Sequence, residues 1–313
     1  MEIKTRNKEK LLVVGGTGYI GNHILKKSLK LGFITTSLSK KIPKKNSKID
    51  GIKYIVADIT KAKQLKKKLS HQKFDYVINS SGYIDHSNYS KKGSKILNLH
   101  FDGLKNLINS LIKKKIKRFI HLGSTNEYGW KNSKLQNEEQ KESSISMYTC
   151  AKIASTYFLQ TLSVTENFPA VILRPSRVYG SEMRDNGVIS QIIHGCIKNK
   201  NFLISQGDQL RDFLYIDDFL DAIFIALKSK KAIGEIINIS SGKPIKIQKI
   251  VNTIVKITKS GKPKFGKIKL RKDESLILYA DIKKAKKLLN WKPKIGFNNG
   301  IRRTIKDIRI NSL

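Results

Sequence analysis

An α/β fold, with a doubly wound parallel sheet and a smaller C-terminal lobe, follows from three features of the 313-residue sequence. Short β-branched runs alternate with stretches of helical periodicity through the first half, the pattern of a parallel sheet covered on both faces. A glycine-spaced turn, "GGTGYIG", joins the first apolar run to the first helical stretch. After Arg174 the alternation loosens into shorter segments separated by Gly- and Pro-bearing turns. This rhythm predicts a sheet domain over 1–175, rejoined by 215–240, and a smaller lobe over 176–313.

In chain order the predicted strands are "LLVV" (11–14), "FITTSL" (33–38), "IKYIVA" (52–57), "FDYVINS" (74–80), "KRFIHLG" (117–123) and "AVILRP" (170–175). Their β-branched and aromatic residues suit a pleated, buried surface. Between them, "GNHILKKSLKL", "KAKQLKKKLS", "LHFDGLKNLINSLIKK" and "MYTCAKIASTYFLQTLSVTE" place apolar residues at helical spacing. Further on, "VISQIIHGCIKN", "FLYIDDFLDAIFIAL" and "IQKIVNTIVKI" read as helices, and "EIINIS" as a strand able to rejoin the sheet. No internal repeat, low-complexity tract or flexible linker interrupts the chain.

Composition bounds the function. Lys and Arg number 62 against 24 Asp and Glu, a formal net charge of +38. The lysines are spread along the whole chain on the polar faces of helical stretches, so they attract polyanions diffusely and build no recognition surface. Specific nucleic-acid binding is therefore not expected. No run of 18 apolar residues marks a membrane span, and the charged start "MEIKTRNKEK" lacks the apolar core of a signal peptide, so a cytoplasmic protein is expected. Cys150 and Cys196 are too few for a disulfide framework and are not spaced as metal ligands; no metal site is expected.

Gly15, Gly18 and Gly21 form G-x-x-G-x-x-G between a strand and a helix. The first permits a tight turn, the second lets backbone N–H groups approach a pyrophosphate, and the third allows helix to pack closely on strand. The reading is a dinucleotide site of the Rossmann type, with Thr17, Tyr19 and Ile20 completing the loop. At the end of the second strand such folds often carry an acid for the ribose of NAD. Here Ser39, Lys40 and Lys41 stand instead, which suits a 2′-phosphate and favours NADP(H) over NAD(H). Asp58, followed by Ile59 after the third strand, is placed to contact adenine or, equally, to cap a helix with Thr60.

Chemistry is expected from "GSTNEYG" (123–129) after a strand and from "YTCAK", which supplies Tyr148 and Lys152. Four residues apart on a helix, these two share a face, so the ammonium can lower the phenol's pKa and orient it. A tyrosine so tuned exchanges a proton while hydride moves to or from a nicotinamide, with Ser124 holding the same substrate oxygen. A second Y-x-x-x-K, Tyr279 and Lys283, lacks the upstream serine and reads as packing.

These residues resemble the extended short-chain dehydrogenase/reductase family, the NAD(P)-dependent nucleotide-sugar epimerases, dehydratases and reductases. The resemblance spans nearly the whole chain, through "GGTGYIG", "ADIT", "GSTNEYG", "YTCAK", "LRPSRVYG", "GDQLRDFLYIDD", "NISSG" and "NWKP" in order. It implies an oxidoreductase of nucleotide-sugar and polysaccharide biosynthesis acting on a nucleoside-diphosphate sugar. By the same resemblance Ser124 and Tyr148 contact the reacting oxygen, Lys152 also holds the nicotinamide ribose, and Asn79 and Ser81 line the cofactor path. Thr125, Arg177 and Arg211 would touch substrate, Arg211 as a clamp on the diphosphate. Arg174 either does likewise or pins its loop, and Asp217 and Asp218 cap the following helix. A homodimer through "LKNLINSLIKK" and "AKIASTYFLQTL" is also implied, although those apolar faces equally suit a core.

Two departures narrow the reaction. Dehydratases of the family carry an adjacent acidic pair after the Ser/Thr, where this chain has Thr125 and Asn126, with Glu127 one place off; a 4,6-dehydratase is disfavoured. His100 occupies a position where many members have asparagine. Ser39 and its lysines favour a reductase, and the similarity of "GSTNEYG" and "GDQLRDF" to enzymes that reduce a 4-keto-6-deoxy sugar nucleotide implies reduction of a 4-keto-6-deoxyhexose, the alternative being an NAD-dependent epimerase. A non-catalytic dinucleotide-binding regulator is the rival from another class; it has no need of Ser124, Tyr148 and Lys152 together.

Overall fold

The computed structural model describes residues 8–129, 135–183, 187–270 and 276–311; most of the charged N-terminal stretch lies outside them. The chain divides into two compact units. One comprises residues up to Gly123, Ser144–Leu173 and Ile223–Ile236; the other comprises Ser124–Ser143, Arg174–Ala222 and Ile237 onward.

The chain's largest sheet has seven strands, most of whose residues belong to the first unit. Its strands are β1 (Lys10–Val14), β2 (Ile34–Ser39), β3 (Lys53–Val56), β4 (Tyr76–Asn79), β5 (Arg118–Leu122), β6 (Ala170–Pro175) and β7 (Ile236–Ile239), in the order β7-β6-β5-β4-β1-β2-β3. The pairs from β3 through to β6 are parallel. This is the doubly wound topology, whose strand order reverses next to β1. β1 reads as a nearly continuous apolar run, and β4 and β5 are buried along their whole length, because a parallel sheet is covered on both faces; Leu11, Leu12, Val13, Val14, Val77 and Ile78 are fully buried.

Helix α1 (Tyr19–Lys30) returns against β1 and β2, burying Ile24 and Leu25. α2 (Ala62–Leu69) packs on α3 (Gly103–Leu111), and the long α4 (Met147–Thr165) follows. Leu65, Leu104, Leu107, Leu111 and Leu159 join Leu12, Val77, Phe119 and Ile172 in one apolar cluster. α4 opens on a capping box in which Ser146 and Thr149 satisfy one another's backbone N–H, which fixes where its first turn begins. Among the described residues no helix is long and apolar enough to cross a membrane.

In the second unit, Arg177–Tyr179 pairs in parallel with Phe213–Tyr215, and Leu210–Arg211 pairs with Ile245–Lys246 and Ile277–Leu278. Tyr179, Phe213, Tyr215 and Phe297 form an aromatic cluster with centroid separations of 5.6 to 6.3 Å. Asp218 departs from its expected capping role. Both of its carboxylate oxygens accept backbone N–H groups, of Lys294 and Ile295 at 2.9 Å, so it ties a segment 76 residues away.

The turn between β1 and α1 leaves no room for side chains. A Cβ on Gly21 would lie 2.2 Å from the Gly15 carbonyl oxygen and 2.8 Å from Gly16 Cα, both backbone atoms unable to move aside. Gly21→Ala should therefore destabilise the fold by about 1–3 kcal/mol, the range for overpacking. Gly296→Ala, with nothing within 4 Å of its Cβ position, should stay within about 0.5 kcal/mol of wild type. Denaturant unfolding of both variants checks this; equal losses refute it.

Candidate active site

The glycine turn presents backbone. Gly15 adopts φ +84°, a left-handed conformation costly for any residue with a Cβ, and lies against the Ser81 backbone. Gly18 N–H bonds to Gly15 O, and the first intrahelical bond of α1 runs from Asn22 N–H to Gly18 O. No side chain caps Gly18 and the first turn holds no acid. A helix end of this kind, over a loop stripped of side chains, fits the pyrophosphate of a dinucleotide.

β2 ends beside this turn. Ser39 Oγ accepts Thr17 N–H at 3.2 Å. Lys40 Nζ lies 2.9 Å from Asp58 Oδ2, while Asp58 Oδ1 accepts both the N–H and the hydroxyl of Thr60. Partial burial alone would raise the Asp58 pKa; Lys40 and the Thr60 donors outweigh it and hold the carboxyl below its ordinary value. Asp58 thus orders its own loop through Thr60; it does not cap α2, whose N-cap is Lys61 with no side-chain cap bond. Ile59 is buried against Gly103, and its carbonyl accepts Asn106 Nδ2. Tyr19 stacks edge-on to His23.

Parallel register places Asn79 on β4 directly beside His121 on β5. The Asn79 amide nitrogen lies 3.2 Å from His121 Nδ1, and its oxygen accepts both Ser81 N–H and Ser81 Oγ–H. Ser81 is therefore oriented from within the sheet.

On α4, Lys152 Nζ donates to Leu122 O at the end of β5 at 2.6 Å and lies 6.0 Å from the Tyr148 ring centroid. Two histidines that the motif reading did not include flank that ring edge-on, His86 at 5.9 Å and His100 at 5.3 Å. His100 also packs beneath Gly82, where a Cβ would fall 2.2 Å from its Cε1. Its Nε2 lies 3.0 Å from Tyr83 O, an atom that can only accept, so Nε2 carries the proton. Burial, with Lys152 adding repulsion, lowers its pKa to about 3 and leaves the ring neutral. The asparagine-for-histidine departure marked this position in sequence; His86, 62 residues before Tyr148, left no signal.

Ser124, Thr125, Arg177 and Arg211 belong to the second unit. Ser124 is the N-cap of a short helical turn: its Oγ accepts Asn126 N–H at 3.1 Å, and its own N–H donates to Glu127 Oε1 at 2.7 Å. Thr125 Oγ1 bonds to Pro175 O. Fully buried Arg174 donates through Nε and Nη2 to Glu127 Oε2 and through Nη2 to Glu142. Of the two readings of Arg174, the loop-pinning one matches this geometry. Arg177 is exposed. Arg211 is buried and spends Nη1 on Leu210 O and Leu276 O. Its neighbour Asp212 accepts from Ser176, Ser241 and Gly242, donors that oppose the upward push of burial on its pKa.

The profile of the NAD dependent epimerase/dehydratase family matches residues 11–240. A protein of Methanocaldococcus jannaschii, provisionally named a UDP-glucose 4-epimerase, is 28% identical over 309 residues, covering 96% of this chain and 99% of that one. The dTDP-D-glucose 4,6-dehydratase of Bos taurus is 25% identical, covering 97% of this chain and 89% of its own. The crystal structure of UDP-glucuronic acid 4-epimerase from Bacillus cereus, in complex with UDP-glucuronic acid and NAD, superposes with a TM-score of 0.87 at 25% identity, covering 96% of this chain and 99% of that one. With a matching profile over most of its length, a doubly wound sheet and a side-chain-free glycine turn, the chain belongs to the NAD dependent epimerase/dehydratase family.

Proposed function

We infer that the protein is an NAD-dependent epimerase that inverts C4 of a UDP-sugar. The observation that carries the coenzyme half of this reading is the state of the groups at the end of β2. Lys40 is ion-paired to Asp58, and Ser39 Oγ is engaged by Thr17 N–H. Of the groups that favoured NADP(H) in the sequence, Ser39 and Lys40 thus have partners within the protein, which supports NAD. The relatives named as 4-epimerases, one of them bound to NAD, support the same choice.

The reaction half rests on Glu127. Dehydration needs an acid at the reacting carbons; here Thr125 and Asn126 are neutral, and the Glu127 carboxylate is consumed by Ser124 N–H and Arg174. The reduction of a 4-keto-6-deoxyhexose drew in part on Ser39 and the lysines after it, and the pairing of Lys40 with Asp58 removes some of that support. NAD, when bound, supplies the hydride acceptor and donor. Tyr148 takes the proton of the sugar 4-hydroxyl and returns it, Lys152 holds the phenol's side of the helix through Leu122 O, and Ser124 donates to the same oxygen. The glycine turn takes the pyrophosphate, Asn79 and Ser81 line the nicotinamide path, and Arg211 takes the diphosphate of the substrate.

Protein purified without added coenzyme should carry NAD and invert C4 of UDP-glucose or UDP-glucuronic acid with no net coenzyme consumption, followed by NMR. Stoichiometric NADPH consumption without inversion overturns the reading. Tyr148→Phe should lower turnover about 10²- to 10⁴-fold while the NAD released on denaturation stays at the wild-type amount; turnover within tenfold of wild type sinks the assignment of Tyr148. Asp58→Ala releases Lys40 and should shift the NADP-to-NAD affinity ratio toward NADP by about threefold or more, as expected for one exposed ion pair. An unchanged ratio in calorimetric titration shows that Lys40 does not decide the coenzyme.

A further inference from the structure

We propose that Glu127 and Arg174 form a buried strut whose task is to position Ser124, and that Glu127 is a positioning residue of this enzyme and takes no part in proton transfer. The inference rests on the reading that Ser124 touches the substrate oxygen. Both charged groups are fully buried. Such a pair contributes little net stability compared with apolar residues of similar volume, so its retention asks for a geometric reason. The geometry supplies one. Glu127 Oε2 is gripped by two guanidinium nitrogens at 3.0 and 2.7 Å, leaving Oε1 to accept Ser124 N–H at 2.7 Å.

The guanidinium is itself fixed, by Glu142 Oε1 at 2.6 Å and by the Tyr128 ring at 4.7 Å. Tyr128 in turn donates to Asn238 Oδ1, and burial pushes its pKa up to about 12, so the hydroxyl stays protonated. The consequence falls on one hydroxyl. Ser124 Oγ accepts Asn126 N–H and keeps its own hydrogen to donate, which is what binding a substrate oxygen requires. The S-x-x-E spacing of Ser124 and Glu127 is the capping-box pattern, used here to aim a hydroxyl.

A double-mutant cycle tests this. Measured as kcat and KM for C4 inversion with UDP-glucose or UDP-glucuronic acid, whichever the wild type turns over, Glu127→Gln should lower kcat about 10- to 100-fold, the scale of a misplaced group. KM and bound NAD should stay within about threefold, and in a Ser124→Ala background the same change should cost less than about twofold. Glu142→Gln, which loosens Arg174 from its far side, should show a smaller loss that also vanishes in Ser124→Ala. Equal losses in both backgrounds overturn the strut, as does full kcat in Glu127→Gln. Wild-type kcat in Ser124→Ala overturns the role of Ser124 itself, and the strut with it.

Discussion

The contact on which the first unit depends is backbone against backbone, where Gly21 at the start of α1 lies over the Gly15 carbonyl. Because no Cβ separates them, α1 can begin directly above the end of β1 and return against β1 and β2. The helix N-terminus so placed carries partial positive charge, which is the electrostatic property a diphosphate needs. Parallel strands then bring Ser39, Asn79 and Leu122 to the same edge of the sheet, each the last residue of its strand. The site is in this sense a property of strand ends, and α4 reaches it through Lys152 bound to the last carbonyl of β5.

Part of the excess of lysine serves the fold. Lys27 and Lys30 close α1, and Lys66, Lys67 and Lys68 close α2, where cations oppose the helix dipole favourably. Lys114 reaches over the end of α2 to donate to the carbonyls of Leu69, Ser70 and Gln72. Lys228 and Lys117 meet at Glu9, with Lys228 also 4.4 Å above the Tyr76 ring. A lysine-rich chain so built has cations near most loops by necessity. A cation beside a coenzyme loop is consequently weak evidence of a phosphate ligand, and Lys40 is such a case.

The parts legible in sequence were those set by local pattern. Strand runs and glycine spacing located β1 to β6 within a residue or two, and the first Y-x-x-x-K fell on α4 as the spacing required. At the second, Tyr279 offers its carbonyl to Gln136 N–H, and Asp281 Oδ1 accepts Lys283 N–H. What sequence could not show were partners far apart along the chain, such as Glu127 with Arg174 across 47 residues, or Asp218 with Lys294 across 76. Side-chain type predicted that these charges would be satisfied, but only the packed fold says by what.

Glu127 shows how far one position can move a residue's chemistry. An acid needs access to the reacting carbons; Glu127 lacks it, being fully buried with both oxygens accepting. Had the acid stood at Asn126, on a half-buried side chain at the head of the turn, no internal cation would have been needed to hold it. Placed one residue later, at the third position after the N-cap, it turns back onto Ser124 N–H and recruits Arg174 to balance its charge. The arginine so recruited lies near the end of β6, where the chain passes from the sheet to the second unit. A single carboxylate therefore holds both Ser124, just after β5, and Arg174, within β6, and the turn it closes carries a hydroxyl in place of an acid.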